Sequence, residues 1–406
     1  MLGSDSATTG VPPSTGPLRT FSELEHLALE NNPTLALAAR RVQALRGKHL
    51  QVGLPPNPVV GYVGEEIGDE GRGGQQGFVV GQRIVTAGKL GWNRSVVGQE
   101  IAAAEHEWAM QRLRVINDTR VAAYRVLAAQ RTVELWGELL EISEESLRVA
   151  EQLLAAQEVS RVDVLQTRIE ANSARLQWET AGNALAGQWR ALAAAVGIPE
   201  LPMAPIEEHG PETFAPLEWD AAAGRLLQES PERRRAAAEL ERARAALARE
   251  CAGRFPDVDL EAGLRYDFAS YDTLATVGVA VPLQLFDRNQ GNIHQAQAEL
   301  AAAQQELRRV ELALHERLAE EFRHYADARE SVARYREAIL PDVDDALALV
   351  RQGYRQGELG YLELLAAQQT YFRTHLALVE ALRDLEVSRT RIEGLLLTGG
   401  LEIPGE

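Results

Sequence analysis

The fold of this chain is decided by one stretch, residues 354–369, which reads YRQGELGYLELLAAQQ. Gly357 and Gly360 are poor helix formers, and glycine tolerates the backbone geometry of a tight reversal. An apolar helical pattern restarts directly after them, with Glu363 in its first turn, where a carboxylate is favoured. The stretch therefore predicts the tip of a hairpin between two long helices, near residues 355–363.

A similar tip occurs in the first half of the chain, near residues 157–163, where Asp163 takes the place of Glu363. The segment QEIAAA at 99–104 is likewise echoed by AELAAA at 298–303. A repeat this long is a whole structural half rather than a solenoid unit. We interpret the chain as internally duplicated, with repeats at 20–198 and 218–401. A flexible arm (1–19), a Pro-rich linker (199–217) and a tail (402–406) complete it.

The composition argues against several classes of function. A formal net charge of −17 disfavours nucleic acid, which is bound through phosphate neutralisation. Cys251 is the single cysteine of the sequence, so there is neither an internal disulfide nor a CxxC motif, and no HExxH pair occurs. The sequence also lacks a Gly-rich phosphate loop and triad spacing. We therefore expect no enzyme activity, no cofactor and no metal site.

Two segments, 58–85 and 256–285, change from helical to strand periodicity, and each predicts a β-hairpin. In the second, apolar and charged residues alternate, and the alternation continues more weakly on the return strand, where Val281, Leu283 and Leu285 share the apolar face. A half-buried sheet in a soluble domain is one interpretation. Strands of about ten residues also match a tilted bilayer crossing. Four strands cannot close a useful pore, so closure would need several chains.

The helical runs are too long for a compact globule. The run that begins at Lys89 could extend on the order of 100 Å before its tip. The later run is interrupted at Pro341, which predicts a kink or two stacked helices. No apolar run is long enough for a membrane helix, and the first residues do not look like a signal peptide. Either the protein stays in the cytoplasm or the sequence lacks its signal.

With these duplicated halves, the chain resembles the TolC family of outer-membrane efflux channels from Phe21 to about Leu401. Besides the second tip, the resemblance rests on LEHLALENNP (24–33), LFDRNQG (285–291) and ILP (339–341). Gln157 departs from the family pattern, which has glycine there. Within the family the chain looks most like the CzcC-like heavy-metal or cation branch, although drug-efflux members share its motifs.

The resemblance implies a mainly α protein with a small transmembrane β part. Three chains, each giving four strands, would form a homotrimer that closes a twelve-stranded β-barrel in outer-membrane lipid. Their helices would form a coiled-coil barrel, a tunnel through the periplasm. Such channels dock onto a periplasmic adaptor and an inner-membrane pump, here of the RND type. The resemblance also favours a signal that is missing from the sequence over residence in the cytoplasm.

Function would then be passage of metal cations or small toxic molecules, with gating at the tips. A ring of carboxylates in a narrow pore favours cations. The gate candidates are Glu158, Arg161 and Asp163 at the first tip, and Tyr354, Arg355, Glu358, Tyr361 and Glu363 at the second. The candidates for the barrel lumen are Asp257, Asp259, Glu261, Arg265 and Asp267. The alternatives are solvated loop charges at the tips and an exposed sheet face.

A soluble or periplasmic coiled-coil scaffold or adaptor without a channel is the rival interpretation. It explains the helices and the acidic charge. It does not explain amphipathic strands at equivalent points of two halves. A barrel trimer needs detergent to stay in solution and a scaffold does not, so detergent dependence separates the two.

Overall fold

The computed structural model describes residues 18–207, 216–356 and 358–402. It is mainly helical with four strands, as the sequence predicted. The elements are α1 (Phe21–Asn31), α2 (Pro33–Gln51), β1 (Val59–Glu65), a 3-10 turn (Asp69–Gly71), β2 (Gln75–Ile84), α3 (Lys89–Ala155), α4 (Arg161–Val196), α5 (Trp219–Glu229), α6 (Pro231–Ala252), β3 (Val258–Asp267), β4 (Asp272–Ala280), α7 (Gln290–Arg334), a π-helical turn (Tyr335–Ile339), α8 (Leu340–Arg355) and α9 (Tyr361–Glu393). Four predicted features fall wholly or partly outside the described residues: the N-terminal arm, the linker, Gly357 at the second tip and the C-terminal tail.

Each of the two compact units of the chain takes residues from both halves. Unit 1 contains the residues up to Ala36, Met110–Glu229 and those from Ala313 onward, and unit 2 contains Leu37–Ala109 and Ser230–Leu312. The halves follow the same order of elements, two helices, two strands and a long helical hairpin. The duplication is therefore visible in the structure, while the packing units cut across it.

The main apolar core of unit 1 lies where α1 packs against α3 and α4. Its central side chains are fully buried and include Leu24, Val126, Leu192 and Val196. The indole Nε1 of Trp189 donates to the carbonyl of Leu201 at 2.9 Å, which satisfies the polar atom of a buried ring. These contacts fix the short first helix to the long hairpin.

The segment after α9 is held in unit 1 by buried polar side chains. The carbonyl of Gly400 accepts hydrogen bonds from Thr34 (2.9 Å) and Gln111 (2.8 Å), and Asn32 is a third donor at 3.4 Å. The carboxylate of Asp118 accepts the backbone N–H groups of Gly399 and Gly400 at 3.1 and 2.6 Å. The end of the described chain is thus part of the core.

Unit 2 contains one antiparallel sheet in the order β1-β2-β3-β4, in which β2 and β3 join the two halves. In the same unit, the buried carboxylate of Glu107 on α3 lies between two arginines, Arg41 on α2 at 2.8 Å and Arg235 on α6 at 2.9 Å. A buried carboxylate needs such partners because desolvation disfavours its charge. This contact also joins the two halves.

Two local predictions need comment. The break predicted at Pro341 is a π-helical turn, in which the N–H of Leu340 donates to the carbonyl of Tyr335, five residues back. Proline has no N–H for the helical ladder, which explains an irregularity at this place. Strand β4 is shorter than the alternation predicted and ends at Ala280, because Pro282 cannot donate to a ladder.

The alternation in the sequence placed Val281, Leu283 and Leu285 on the apolar face of the return strand. This was wrong, because the three residues follow β4 and are exposed there. In the described part of the chain, no helix is both long and apolar enough to span a membrane.

Candidate functional site

The sheet has one charged and one apolar face. The strand register places every charged residue of the four strands on the same face: Glu65, Arg83, Asp259, Glu261, Arg265, Asp267 and Asp272. The opposite face carries exposed apolar side chains, among them Val60, Tyr62, Phe78, Val80, Leu264, Val277 and Val279. Val277 is 81% exposed, which is unusual for valine in a sheet. An exposed apolar sheet face of this kind marks an interaction with lipid or with protein.

Two ion pairs cross the charged face. Asp259 lies directly opposite Arg83, and its two oxygens accept from the guanidinium at 2.8 and 3.3 Å. Arg265 on β3 reaches over β2 to Glu65 on β1, at 2.7 Å. Gly77 is the residue of β2 opposite Arg265, and the absence of a side chain there leaves room for the arginine to cross. Of the predicted lumen residues, Asp259 and Arg265 are therefore paired.

The remaining three predicted lumen residues have different surroundings. Asp257 lies just before β3, where its carboxylate binds the ammonium of Lys89 at 2.7 Å and the N–H of Thr86 at 3.0 Å. Asp267 accepts the N–H of Ala269 in the β3–β4 turn at 2.7 Å. Among the described residues, Glu261 has no hydrogen-bonding or ion-pair partner and is exposed. The five acids and bases thus do not form one uniform group.

At the first tip, Asp163 is committed to the start of α4. Its carboxylate accepts the N–H of Ser160 at 2.9 Å, and the hydroxyl of Ser160 donates to it at 2.7 Å. The N–H of Asp163 donates back to that hydroxyl at 3.3 Å, which completes a capping box. These hydrogen bonds, first the one from the Ser160 hydroxyl, lower the pKa of Asp163. The side chain has a structural role that the prediction of a gate did not include.

The turn of the first tip uses a residue that is not glycine. Gln157 has a φ of 63°, and the N–H of Glu158 donates to the carbonyl of Leu153 at 2.9 Å. This is the usual left-handed end of a helix, made here without the residue that tolerates it best. Gln157, which stands where the family pattern has glycine, therefore adopts this conformation with a strained backbone.

At the second tip, Tyr361 lies near Tyr354 and near Glu170 on α4. Burial, the Glu170 carboxylate and Tyr354 together raise the pKa of Tyr361 to about 12. Glu170 also accepts a hydrogen bond from Gln369 on α9 at 3.5 Å. The structure thus brings two of the predicted gate residues together with an acid on the other hairpin.

Glu363, an acid of the second tip, is the third residue of α9. Gly360 is the N-cap of this helix and makes no side-chain hydrogen bond. Among the described residues, the five charged gate candidates other than Asp163 make no side-chain hydrogen bond or ion pair, namely Glu158, Arg161, Arg355, Glu358 and Glu363. Arg161, Arg355 and Glu363 lie in the first or last turn of a helix, whereas Glu158 and Glu358 lie in the turns between helices.

Sequence reasoning missed several residues that contact the candidates. Ser160 had a usable signal, because Ser-x-x-Asp before an apolar run is a capping pattern. Arg83 and Glu65 could be assigned to the candidates only once the strand register was known. Glu170 had no local signal, since it lies in the middle of a long helix. Across the described residues, no group of three or more His, Cys, Asp or Glu side chains could hold a metal ion.

Comparison with known proteins places this geometry in a family. The family model described as "Outer membrane efflux protein" matches residues 24–198 and again residues 222–396, once in each half. The chain is 29% identical over 401 residues to the cobalt-zinc-cadmium resistance protein CzcC of Cupriavidus metallidurans, covering 97% of this chain and 94% of CzcC.

Two solved structures show the same fold. One is the outer membrane protein VceC of Vibrio cholerae, with a TM-score of 0.74, 21% identity and coverage of 94% of this chain and 97% of VceC. The other is the open state of the MtrE outer membrane channel of Neisseria gonorrhoeae, with a TM-score of 0.72, 18% identity and coverage of 95% and 90%. The two family matches cover most of the chain and coincide with its two halves, so the chain belongs to the outer membrane efflux protein family.

Proposed function

We propose that the chain is the outer-membrane channel of a tripartite efflux system and that it works as a homotrimeric, passive exit duct from the periplasm. The four-stranded sheet carries this proposal. Its apolar face suits the hydrocarbon of a bilayer, and its charged face suits a water-filled lumen. A soluble scaffold would have no use for a sheet that exposes many large apolar side chains on one face.

The free edges of the sheet support a trimer. Within the described chain, β1 pairs only with β2 and β4 pairs only with β3. An unpaired edge in hydrocarbon leaves backbone N–H and C=O groups unsatisfied, so a spanning sheet must close. Joining β1 of one copy to β4 of the next would give twelve strands from three copies, enough to enclose a passage.

The cargo and partners follow from the family and from one relative. The name of CzcC refers to resistance to cobalt, zinc and cadmium. We extend this to divalent metal cations as the first class to test here, with small toxic molecules second. A passive duct has no energy source of its own. It would receive cargo from an inner-membrane pump, here of the RND type, through a periplasmic adaptor that meets the helical tips in the periplasm.

We assign the gate to the second tip rather than to the first. Glu363 has no partner among the described residues, while the equivalent Asp163 is bound in a capping box. A free carboxylate near the symmetry axis of a trimer can form contacts between copies or bind a cation, and both would hold a pore closed. Arg355 ends α8 on the other side of the turn and offers a charge of opposite sign.

The test is the single-channel current of the purified protein in planar lipid bilayers. We expect a small current from wild type and a larger one from Glu363→Ala and from the double variant Arg355→Ala/Glu363→Ala. The matched control is Arg373→Ala, an exposed residue of α9 beyond the tip, and its current should equal that of wild type.

Two results would argue against the proposal. The absence of current in every variant, with a protein that stays monodisperse without detergent, would leave the scaffold as the better interpretation. Current that is identical in wild type and in both tip variants would keep the channel and remove the assignment of the gate to Glu363.

A further inference from the structure

The charged face of the sheet has an uneven distribution of uncompensated charge. Ion pairs offset Asp259 and Glu65, because Arg83 and Arg265 lie against them at 2.8 and 2.7 Å. Each pair contributes no net charge to whatever passes along the face. An ion in the lumen therefore responds to the charges that remain.

Glu261 is the uncompensated charge in the middle of the strands. It is the fourth residue of β3, and its cross-strand partners are Gly81 on β2 and Gly278 on β4. Neither glycine has a side chain that could cover or pair with the carboxylate. Within the residues that the structure describes, Glu261 makes no hydrogen bond and no ion pair.

Two further acids on the same face lie elsewhere along the strands. Asp267 ends β3 and Asp272 begins β4, and they lie opposite each other at the turn. Asp267 already accepts the N–H of Ala269. At the end of a sheet, bulk solvent and salt screen a charge far more than they do within a narrow passage. In a closed barrel these acids would lie at the mouth, and Glu261 would lie inside.

We propose that Glu261 determines the preference of the barrel lumen for cations. The inference rests on the proposed trimeric channel, in which three copies would place a ring of three glutamates around the passage. A ring of one sign attracts counter-ions and raises their local concentration. The ring would therefore raise the permeability of the lumen to metal cations, the cargo proposed above, and lower its permeability to anions. The lumen thus acts as more than an inert exit.

The test compares the potassium-to-chloride permeability ratio, obtained from reversal potentials of single channels in a potassium chloride gradient. For Glu261→Gln we expect the ratio to fall by at least about twofold at roughly 0.1 M salt, and the difference from wild type to disappear near 1 M, where the Debye length is only about 3 Å. Every variant keeps the same helical tips, so the variants differ only in the substituted side chains of the sheet.

Two further variants make the test specific. The double variant Arg83→Gln/Asp259→Asn removes a whole ion pair without changing the net charge, so its permeability ratio should remain that of wild type. Gly278→Lys supplies a counter-charge opposite Glu261, and it should lower the ratio in the same direction as Glu261→Gln. A Cβ at position 278 would lie 3.7 Å from the Cβ of Glu261, which is an ordinary contact.

The outcomes separate this inference from the proposed function. A conducting Glu261→Gln channel whose permeability ratio equals that of wild type at low salt would overturn the role of Glu261 and leave the channel intact. A fall of the ratio in the double variant as large as in Glu261→Gln would also overturn it, because paired charges would then count as much as the unpaired one. Wild type without current would overturn the channel and this inference together.

Discussion

The segment after α9 predicts a large loss of stability when one buried amide is changed. Asn117 is 2% exposed, and its side-chain NH₂ donates to the carbonyls of Gly394 and Leu397, both at 2.8 Å. Between these carbonyls, Leu395 and Leu396 have φ values of 58° and 60°. For residues other than glycine this region costs roughly 1–2 kcal/mol each. The two hydrogen bonds offset that strain by holding the turn at both ends.

Asn117→Ala removes both donors from a buried site. A buried polar group that loses its partner costs about 1–3 kcal/mol, so two carbonyls predict a decrease of roughly 2–6 kcal/mol in the free energy of unfolding. Thermal unfolding of the detergent-solubilised protein, followed by circular dichroism, measures the loss. Hydrogen exchange of residues 394–402 should show where it begins.

A second variant separates hydrogen bonding from packing. Asn117→Asp keeps the size of the side chain and removes the NH₂ donor, so it should be destabilised at least as much as Asn117→Ala. Asn172→Ala, on the exposed face of α4, is the matched control and should unfold like wild type. If Asn117→Asp differs from wild type by less than about 0.5 kcal/mol, the size of an ordinary surface effect, the reasoning from the two hydrogen bonds is refuted.

Three further outcomes are expected. Gln157→Gly should stabilise the first tip by roughly 0.5–1 kcal/mol because it relieves a left-handed backbone, and unchanged hydrogen-exchange protection at the tip would contradict this. Glu107→Ala should lower the free energy of unfolding by roughly 1–3 kcal/mol, less than for a fully buried pair because Arg41 and Arg235 are half exposed; equal denaturant midpoints would count against it. Burial raises the pKa of Asp118, so its ionisation opposes folding, and stability falls as pH rises above the ordinary aspartate pKa. The melting temperature of Asp118→Asn should therefore rise relative to that of wild type as the pH increases above about 4, and a difference independent of pH would exclude this.

The sequence predicted the parts of the fold that have local signals. Period-2 alternation, the prolines before the strands and the glycines of the second tip each act over a few residues. They were enough for the duplication, the four strands and the separation of charged from apolar residues on β3. Pro341 likewise indicated the irregular turn between α7 and α8, although not its π-helical geometry.

The rest depended on contacts between distant parts of the chain. Asn117 and Gly394 are 277 residues apart, and within α3 Asn117 resembles any polar residue of a long helix. The Arg83–Asp259 ion pair requires the register between strands of different halves. Sequence alone therefore grouped Asp259 with Glu261 as equivalent acids, although only one has a counter-charge.

The two tips differ in whether the acid after the turn caps its own helix. At the first, the hydroxyl of Ser160 and the carboxylate of Asp163 satisfy each other and the backbone at the start of α4. At the second, Gly360 has no hydroxyl to offer, so the equivalent Glu363 is not drawn into a capping box. A carboxylate that caps its own helix has little capacity left for another chain or a cation, because its oxygens already accept hydrogen bonds. One tip is thus fixed by its own acid, whereas the acid of the other has no partner among the described residues.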